Sequence, residues 1–351
     1  MAHGPAPGGR APRPDEVTVR FWAAALLLVL IAACGKPAED EAPRSAYGAV
    51  SVEARPLPLN PRDAAQTRVG RLVYAGGLQL TATNSSRLHG LSGIDVAGDG
   101  KTFVAVTDFG DLVRGRFTFD GADHLSGVAD VTLQPLLDGG GKPFGRKKKA
   151  DAEDISFMEL DPKPDAGLAV SFEQNHRVLA YSGPGAPARL LFKPSGMRVR
   201  PNQGMEGLAA RCAQPGDGKT LWVGFERGEI SNRTGLAASK RGRRAAGQPS
   251  GFALSGLTNR SCQELFVLYR AYDPIRGFRA VIGETTNAGG VTELARLSGP
   301  LTRGNMEGLA VIERSTAKAT IWRFYLVSDD GFDPRGRRTL LMAFDWIIPA
   351  Q

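Results

Sequence analysis

Most of the short signatures that announce an enzyme are missing from this chain. Its 351 residues include three cysteines and four histidines, and no Cys-x-x-Cys occurs, which excludes the usual thiolate metal centres. There is no His-Glu-x-x-His stretch and no Gly-x-Ser-x-Gly elbow, because Gly90-Leu91-Ser92-Gly93 has the wrong spacing. Helix-borne zinc hydrolases and elbow-type serine esterases are thereby excluded. Helical periodicity is nowhere sustained, so no glycine loop opens a helix to cradle phosphate. Aromatic residues make up 7% of the chain and fall mostly on strand-like runs, where they read as core. The longest apolar run, Phe21 to Ala33, is thirteen residues and too short to span a bilayer.

That run follows Arg20 and ends Leu30-Ile31-Ala32-Ala33-Cys34-Gly35. It resembles a bacterial lipoprotein signal, residues 1–33, cleaved before Cys34, whose thiol and amine would carry acyl chains. Gly35, where an inner-membrane retention signal would place Asp, points to the outer membrane facing the periplasm. Residues 34–47 are Pro-, Ala- and Glu-rich and read as a flexible tether, leaving residues 48–351 as one domain. Residues 1–33 carry three arginines against one aspartate and one glutamate, so the net charge falls from +8 to +7 on their removal. The basic excess concentrates in Arg146–Lys149 and in Lys240-Arg241-Gly242-Arg243-Arg244. Solvated loops are the plain reading of such runs; adhesion to anionic lipid is the sharper one. An exported chain has no nucleic-acid partner, and a monomer is expected. Cys212 and Cys262, fifty residues apart, could pair in an oxidising compartment and bridge neighbouring units.

One small pattern does recur. Leu91-Ser92-Gly93-Ile94, Ala152-Glu153-Asp154-Ile155, Met205-Glu206-Gly207-Leu208 and Met306-Glu307-Gly308-Leu309 each open a strand-like run. Roughly twenty residues later come Thr107-Asp108, Phe172-Glu173, Phe225-Glu226 and Ser328-Asp329-Asp330. Starts placed at Ser92, Asp154, Glu206 and Glu307 imply a degenerate unit near 255–290, with Leu265–Arg270 as its strand. Such a period, with Asp-Gly turns between β-branched runs, is that of an all-β propeller. Five units plus Val69–Leu80 make about six four-stranded blades, with the N-terminal strand pairing with Thr339–Phe344 to close the ring. A pair of β-sandwiches is the competing architecture.

The ordered segments GLSGIDVAGDGKTFVAVTDFG, AEDISF, SFEQNHRV, NQGMEGLA, LFVLYRAYDPIRGFRA, GNMEGLAVI and LVSDDGFDPRGRRTLLMAF resemble the exported bacterial phytase-like family, "esterase-like activity of phytase", over about residues 48–347. The resemblance implies calcium-dependent hydrolysis of phosphoric esters on a propeller. The family commonly has Glu-Arg where this chain has Tyr269-Arg270, which removes one acid from the expected ring. Carboxylates on first strands converge on a propeller's channel, and calcium is their natural counter-ion. The expected metal ligands are Asp108, Asp154, Glu173, Glu206, Glu226, Glu307 and Asp329. Glu206, Glu307, Asp154 and His176 are the candidate catalytic groups, and Arg177, Arg227 and Arg270 the candidate holders of a phosphorylated small molecule or envelope component. The acids could instead be turn caps and interblade salt links in a non-catalytic binding propeller with structural calcium.

Overall fold

In the computed structural model the described residues are Met1, Gly4 and 47–350, apart from 195–203, 213–219, 228, 235–242, 245–247, 286–289 and 332–337. Cys34, the apolar run before it and the tether up to residue 46 lie outside them, as does Lys240 to Gly242 of the second basic run. The chain divides into two units, Met1–Glu41 and Ala42–Gln351, and all described strands belong to the second.

The strands run in chain order as β1 (Gly48–Ala49), β2 (Val52–Pro56), β3 (Arg68–Val69), β4 (Leu72–Ala82), β5 (Leu91–Val96), β6 (Thr102–Thr107), β7 (Asp111–Phe119) and β8 (Leu125–Pro135). A four-residue helix, α1 (Lys147–Ala150), precedes β9 (Ala152–Phe157), β10 (Leu168–Phe172), β11 (Arg177–Tyr181) and β12 (Arg189–Phe192). Then come β13 (Met205–Ala209), β14 (Thr220–Phe225), β15 (Glu229–Thr234), β16 (Arg243–Arg244), β17 (Ala253–Asn259), β18 (Leu265–Asp273), β19 (Gly277–Thr285) and β20 (Val291–Leu297). The last three are β21 (Asn305–Ser315), β22 (Ala319–Asp329) and β23 (Thr339–Pro349).

These strands form five antiparallel sheets among the described residues: β1-β8-β7-β6-β5, β12-β11-β10-β9, β13-β14-β15-β16, β17-β18-β19-β20 and β2-β4-β23-β22-β21, with β3 on β4. The innermost strands pack on one another in the order β5, β9, β13, β17, β21 and back to β5, which makes the architecture a β-propeller. The expected sixth unit is part of the fifth. The C-terminal segment brings only three strands, and Val69–Leu80 completes their sheet, with Leu80 opposite Thr339 and Leu78 opposite Leu341. The degenerate unit is a full sheet: Leu254-Ser255-Gly256-Leu257 opens it in β17, and Leu265–Arg270 falls in its second strand, β18.

Alternation explains why the second strands read as unbroken apolar runs. Successive side chains point to opposite faces, and each face meets a different neighbouring sheet. Phe103 and Ala105 of β6 join a core shared with the fifth sheet, while Val104 and Val106 join one shared with the second. Phe324 and Leu326 of β22 pack towards the fourth sheet, and Tyr325 and Val327 towards the first. Phe117 stacks on both Phe103 and Tyr325, at 4.8 and 4.4 Å, tying the first sheet to the fifth. Local turns are sequence-driven: Asp99 accepts the backbone N–H groups of Lys101 and Thr102 at 2.8 and 2.7 Å and closes the β5–β6 hairpin. The Cys212–Cys262 disulfide forms, joining the segment after β13 to the turn between β17 and β18.

The recurring pattern has a steric cause. Gly93, Asp154, Gly207, Gly256 and Gly308 occupy one level of the five inner strands, where those strands approach most closely. A Cβ on Gly93 would lie 2.6 Å from the Cα of Asp154 and 2.8 Å from the Ile155 nitrogen. On Gly308 it would meet Val327 Cγ2 at 2.5 Å and the Gly93 backbone at 3.0 Å. Backbone cannot yield as a side-chain tip can. Gly93→Ala is therefore expected to cost about 3 kcal/mol in urea unfolding. A loss below about 0.5 kcal/mol would show that the inner strands are not packed this tightly.

Candidate functional site

Two levels of each inner strand lie above the glycine level and project to the same side, because strand side chains repeat every second residue. The upper level is Gly90, Asp151, Gly204, Ala253 and Asn305; the lower is Ser92, Glu153, Glu206, Ser255 and Glu307. A third set comes from the ends of the second strands: Asp108, Glu173, Glu226, Arg270 and Asp329. Their placement follows from pairing with the upper level: the amides of Asp108, Glu173 and Glu226 donate to Gly90, Asp151 and Gly204, while Arg270 and Asp329 stand opposite Ala253 and Asn305. Eight carboxylates, one arginine and one asparagine thus gather at one end of the channel.

Register changes the sequence alignment by one residue. Glu153, not Asp154, is the counterpart of Glu206 and Glu307. Asp154 sits at the glycine level, fully buried, and its carboxylate accepts the amides of Ile155 at 2.9 Å and Leu208 at 2.7 Å, linking the second sheet to the third. Asp95 does likewise one level deeper, accepting the amide of Phe157 and the guanidinium of Arg211. These two acids are interblade links, as the turn-cap reading expected. Where the pattern has serine, the hydroxyl donates across to the next blade: Ser92 to the Ala152 carbonyl at 2.6 Å and Ser255 to that of Met306 at 3.0 Å.

Of the acids expected to converge, Asp108, Glu153, Glu173, Glu206, Glu226, Glu307 and Asp329 do so, and Asp151 joins them. Asp151, Glu153 and Glu173 bring one carboxylate oxygen each within 4.8 Å of one another. Asp151 was missed by the sequence reading, although the Asp151-Ala152-Glu153 alternation marks two acids on one strand face. Asp151 also accepts from Gln174 at 2.9 Å, and Glu173 from the Gly204 amide at 2.8 Å. Arg270 bridges Glu307 at 3.3 Å and Glu206 at 3.6 Å. Asn305 donates to Glu307 at 2.7 Å and to Asp329 at 3.2 Å. Lys147 of α1 reaches Asp108 at 3.6 Å and Asp151 at 3.9 Å, so one member of the first basic run is turned inward.

Electrostatics follow from this crowding. Burial, then the neighbouring Asp329 and Glu307, pushes Asp108 well above the usual carboxylate range. Burial and Glu206 do the same to Glu153. Glu206 is raised by burial against the pull of Arg270. Glu173 is pushed up to about 7, by burial first and by Asp151 and Glu226 besides. Burial alone would lower Arg270; Glu307, Glu206, Glu226 and Glu153 outweigh it and hold the guanidinium charged.

The remaining candidates lie around the ring. Arg177 stacks over Phe172 and Phe144 and donates to the carbonyls of Asn175 and Lys149, so its guanidinium is committed to the second sheet. His176 ends the turn that follows Glu173 and is half-buried. Arg227 is exposed beside an open depression of about 460 Å³, lined by Glu226, Gln248 and Phe252 among others. Tyr269 is buried at the level of Phe172 and Phe225 and faces the core, so the ring's exceptional member is Arg270 rather than Tyr269.

Fold and site together define a β-propeller with a carboxylate ring at one mouth of its channel. The chain belongs to the Phytase-like family, described as esterase-like activity of phytase, whose model matches residues 86–332. No match was found among curated proteins. Among solved structures, a gluconolactonase from Xanthomonas campestris is 12% identical, with 87% of this chain and 97% of that one covered at a TM-score of 0.40. The Cps50 (Swd1) β-propeller domain of Myceliophteria thermophila is 10% identical over 85% and 99% of the two chains, with a TM-score of 0.37. Likenesses this slight carry no argument about activity.

Glu173 tests the electrostatics. Its folded value of about 7 lies above the ordinary 4.5, so the folded protein holds this proton more tightly than the unfolded chain. Its contribution is fully present below about pH 4.5 and is lost as pH rises through about 7. Unfolding of the metal-free protein from pH 4 to 8 should show this decline, and Glu173→Gln should remove about 1 kcal/mol of it, a figure discounted for partial exposure. An identical pH dependence in the variant would mean that Glu173 titrates as an ordinary glutamate.

Proposed function

We propose that this protein is a calcium-dependent hydrolase of phosphoric esters whose reaction takes place at the carboxylate ring. The observation that carries this reading is the meeting of Asp151, Glu153 and Glu173. Three carboxylates this close, with more beside them, form an all-oxygen donor set of the kind hard cations take, and it contains no thiolate or imidazole. Calcium held there would supply positive charge to a phosphoryl group.

The chain's own residues divide the rest of the work. Glu206, raised by burial, is suited to hold a proton on its carboxyl and deliver it to a leaving alkoxide. Arg270 keeps Glu206 and Glu307 in place, and Asn305 orients Glu307 towards Asp329. Arg227, at the edge of the depression beside Glu226, is placed to meet substrate oxygens. His176 stands near enough in sequence to Glu173 to serve as a further acid–base group.

A second reading, a non-catalytic propeller that binds a ligand or an envelope protein, has one observation in its favour. Arg270 already neutralises two of the acids, as a structural salt link would. On either reading we place the chain in the cell envelope as a monomer, anchored through acylated Cys34 to the outer membrane and facing the periplasm.

Hydrolysis of p-nitrophenyl phosphate, bis-p-nitrophenyl phosphate and p-nitrophenyl acetate, with calcium and with EDTA, separates the two. The hydrolase reading expects calcium-dependent turnover of a phosphate ester, abolished by EDTA and lowered on the order of 100-fold by Glu153→Gln. No turnover of any substrate at high enzyme concentration would leave the binding reading standing.

A further inference from the structure

Three features that the hydrolase reading leaves unused lie on the same face as the ring. The first is where the N-terminal segment leaves the propeller. Tyr47 precedes β1, which pairs with the end of β8, and its hydroxyl bonds Asp111 at 3.1 Å, the first residue of β7 on the ring side. Arg87 fixes this clasp by donating to both Asp111 oxygens at 2.7 and 3.0 Å and to the Tyr47 hydroxyl at 2.8 Å, with its guanidinium 4.5 Å from the Tyr47 ring.

The second feature is the basic run, which leads directly into Asp151 at the top of β9. Lys147 turns inward, while Lys142, Arg146, Lys148 and Lys149 stay exposed. The third is the β18–β19 hairpin, the one place among the described residues where a second strand runs well past the ring. β18 continues from Arg270 through Tyr272 to Asp273, which accepts the amides of Ile275 and Arg276 and shapes the tip. Ile275 is 96% exposed and Tyr272 64%, the latter resting on Phe278 with ring centroids 4.9 Å apart. Pro274 and the exposed Arg276 complete the tip. A rigid hairpin that presents isoleucine and tyrosine to water beside an arginine has the composition of a segment that sits among lipid headgroups.

We propose that the ring-bearing face docks on the surface of an anionic phospholipid bilayer, with the β18–β19 tip inserted at headgroup depth and Arg146, Lys148 and Lys149 lying against the lipid phosphates. Charge complementarity favours lipid over an apolar partner: the basic side chains are exposed, whereas the ring acids are buried or half-buried below them. Chain length agrees. The twelve residues between Cys34 and Tyr47 span at most about 45 Å, and they join the propeller on this same face. Neither a few basic residues nor one small apolar tip holds a protein to a membrane alone; two weak signals together do. Docking turns the carboxylate ring towards the bilayer, and it stands whether or not the ring is catalytic.

The test places an environment-sensitive thiol fluorophore at Ile275→Cys or, on the opposite face between β21 and β22, at Lys318→Cys, in the full chain reconstituted into vesicles. In phosphatidylglycerol-containing vesicles the label at 275 should shift to the blue and be quenched by lipid-borne quencher. It should return to its aqueous spectrum in pure phosphatidylcholine, at about 0.5 M salt, or when Arg146, Lys148 and Lys149 are all replaced by serine. The label at 318 should stay aqueous throughout. A label at 275 that stays aqueous in anionic vesicles, that is immersed equally in neutral ones, or that is unaffected by the triple replacement would overturn the proposal. So would immersion at 318. An acidic protein partner instead of lipid would show as an aqueous label on vesicles.

Discussion

Repulsion among carboxylates at the channel mouth is the constraint around which the rest of this molecule is arranged. Five inner strands approach closely enough that their narrowest level is built mostly of glycine, and the acids one and three residues earlier have nowhere to spread. Burial then works with mutual repulsion: Asp108, Glu153 and Glu206 are all held well above their ordinary range. Arg270 and Lys147 offset part of the charge, each against two acids. The remainder must be met by protons or by a hard cation, and Asp151, Glu153 and Glu173 form the place where a cation fits.

The same constraint explains the division of labour among residues that look alike in sequence. An acid at the glycine level or below cannot share in the ring, because one of its oxygens is taken by an amide of the next blade and the other by the amide that follows it in its own strand. Asp154 and Asp95 are of this kind, and they stabilise the joint between sheets rather than any ligand. Serine at the ring level serves the same joint from the other direction, donating to a carbonyl across the gap. The other members of that level are Glu153, Glu206 and Glu307, and with them the side chains change from links to a charged cluster.

Much of the fold was legible in the sequence because it rests on local, repeated chemistry. The acid-Gly-aliphatic pattern, the Asp-Gly turns and the two-faced apolar strands together imply a propeller, and the pairing of Val69–Leu80 with the C-terminal strand was foreseen. The blade count was not, because a strand contributed from the far end of the chain looks like a unit of its own until the pairing is known. The unit at Ser255 was blurred because, although Leu254-Ser255-Gly256-Leu257 repeats the form of Leu91-Ser92-Gly93-Ile94, its second strand ends in Tyr269-Arg270 rather than in an acid. In the site, Glu206, Glu307, Glu173 and Asp108 were found from their place in the repeat. Asp151 escaped because it lies one strand period before the motif, and Asp154 was misplaced because two adjacent acids cannot be told apart without the register. Arg270 was seen as a substrate group, and nothing in the sequence says that the ring would close on it.

The central claim, that the ring is a cation site made by crowded carboxylates, is met most directly by calorimetric titration of calcium into the full chain at pH 7 in two buffers of different ionisation enthalpy. The account predicts saturable binding with protons released, so that the apparent enthalpy differs between buffers, and loss of that binding in the combined Asp151→Asn, Glu153→Gln, Glu173→Gln variant. No saturable heat at millimolar calcium, or undiminished binding in the variant, would contradict it.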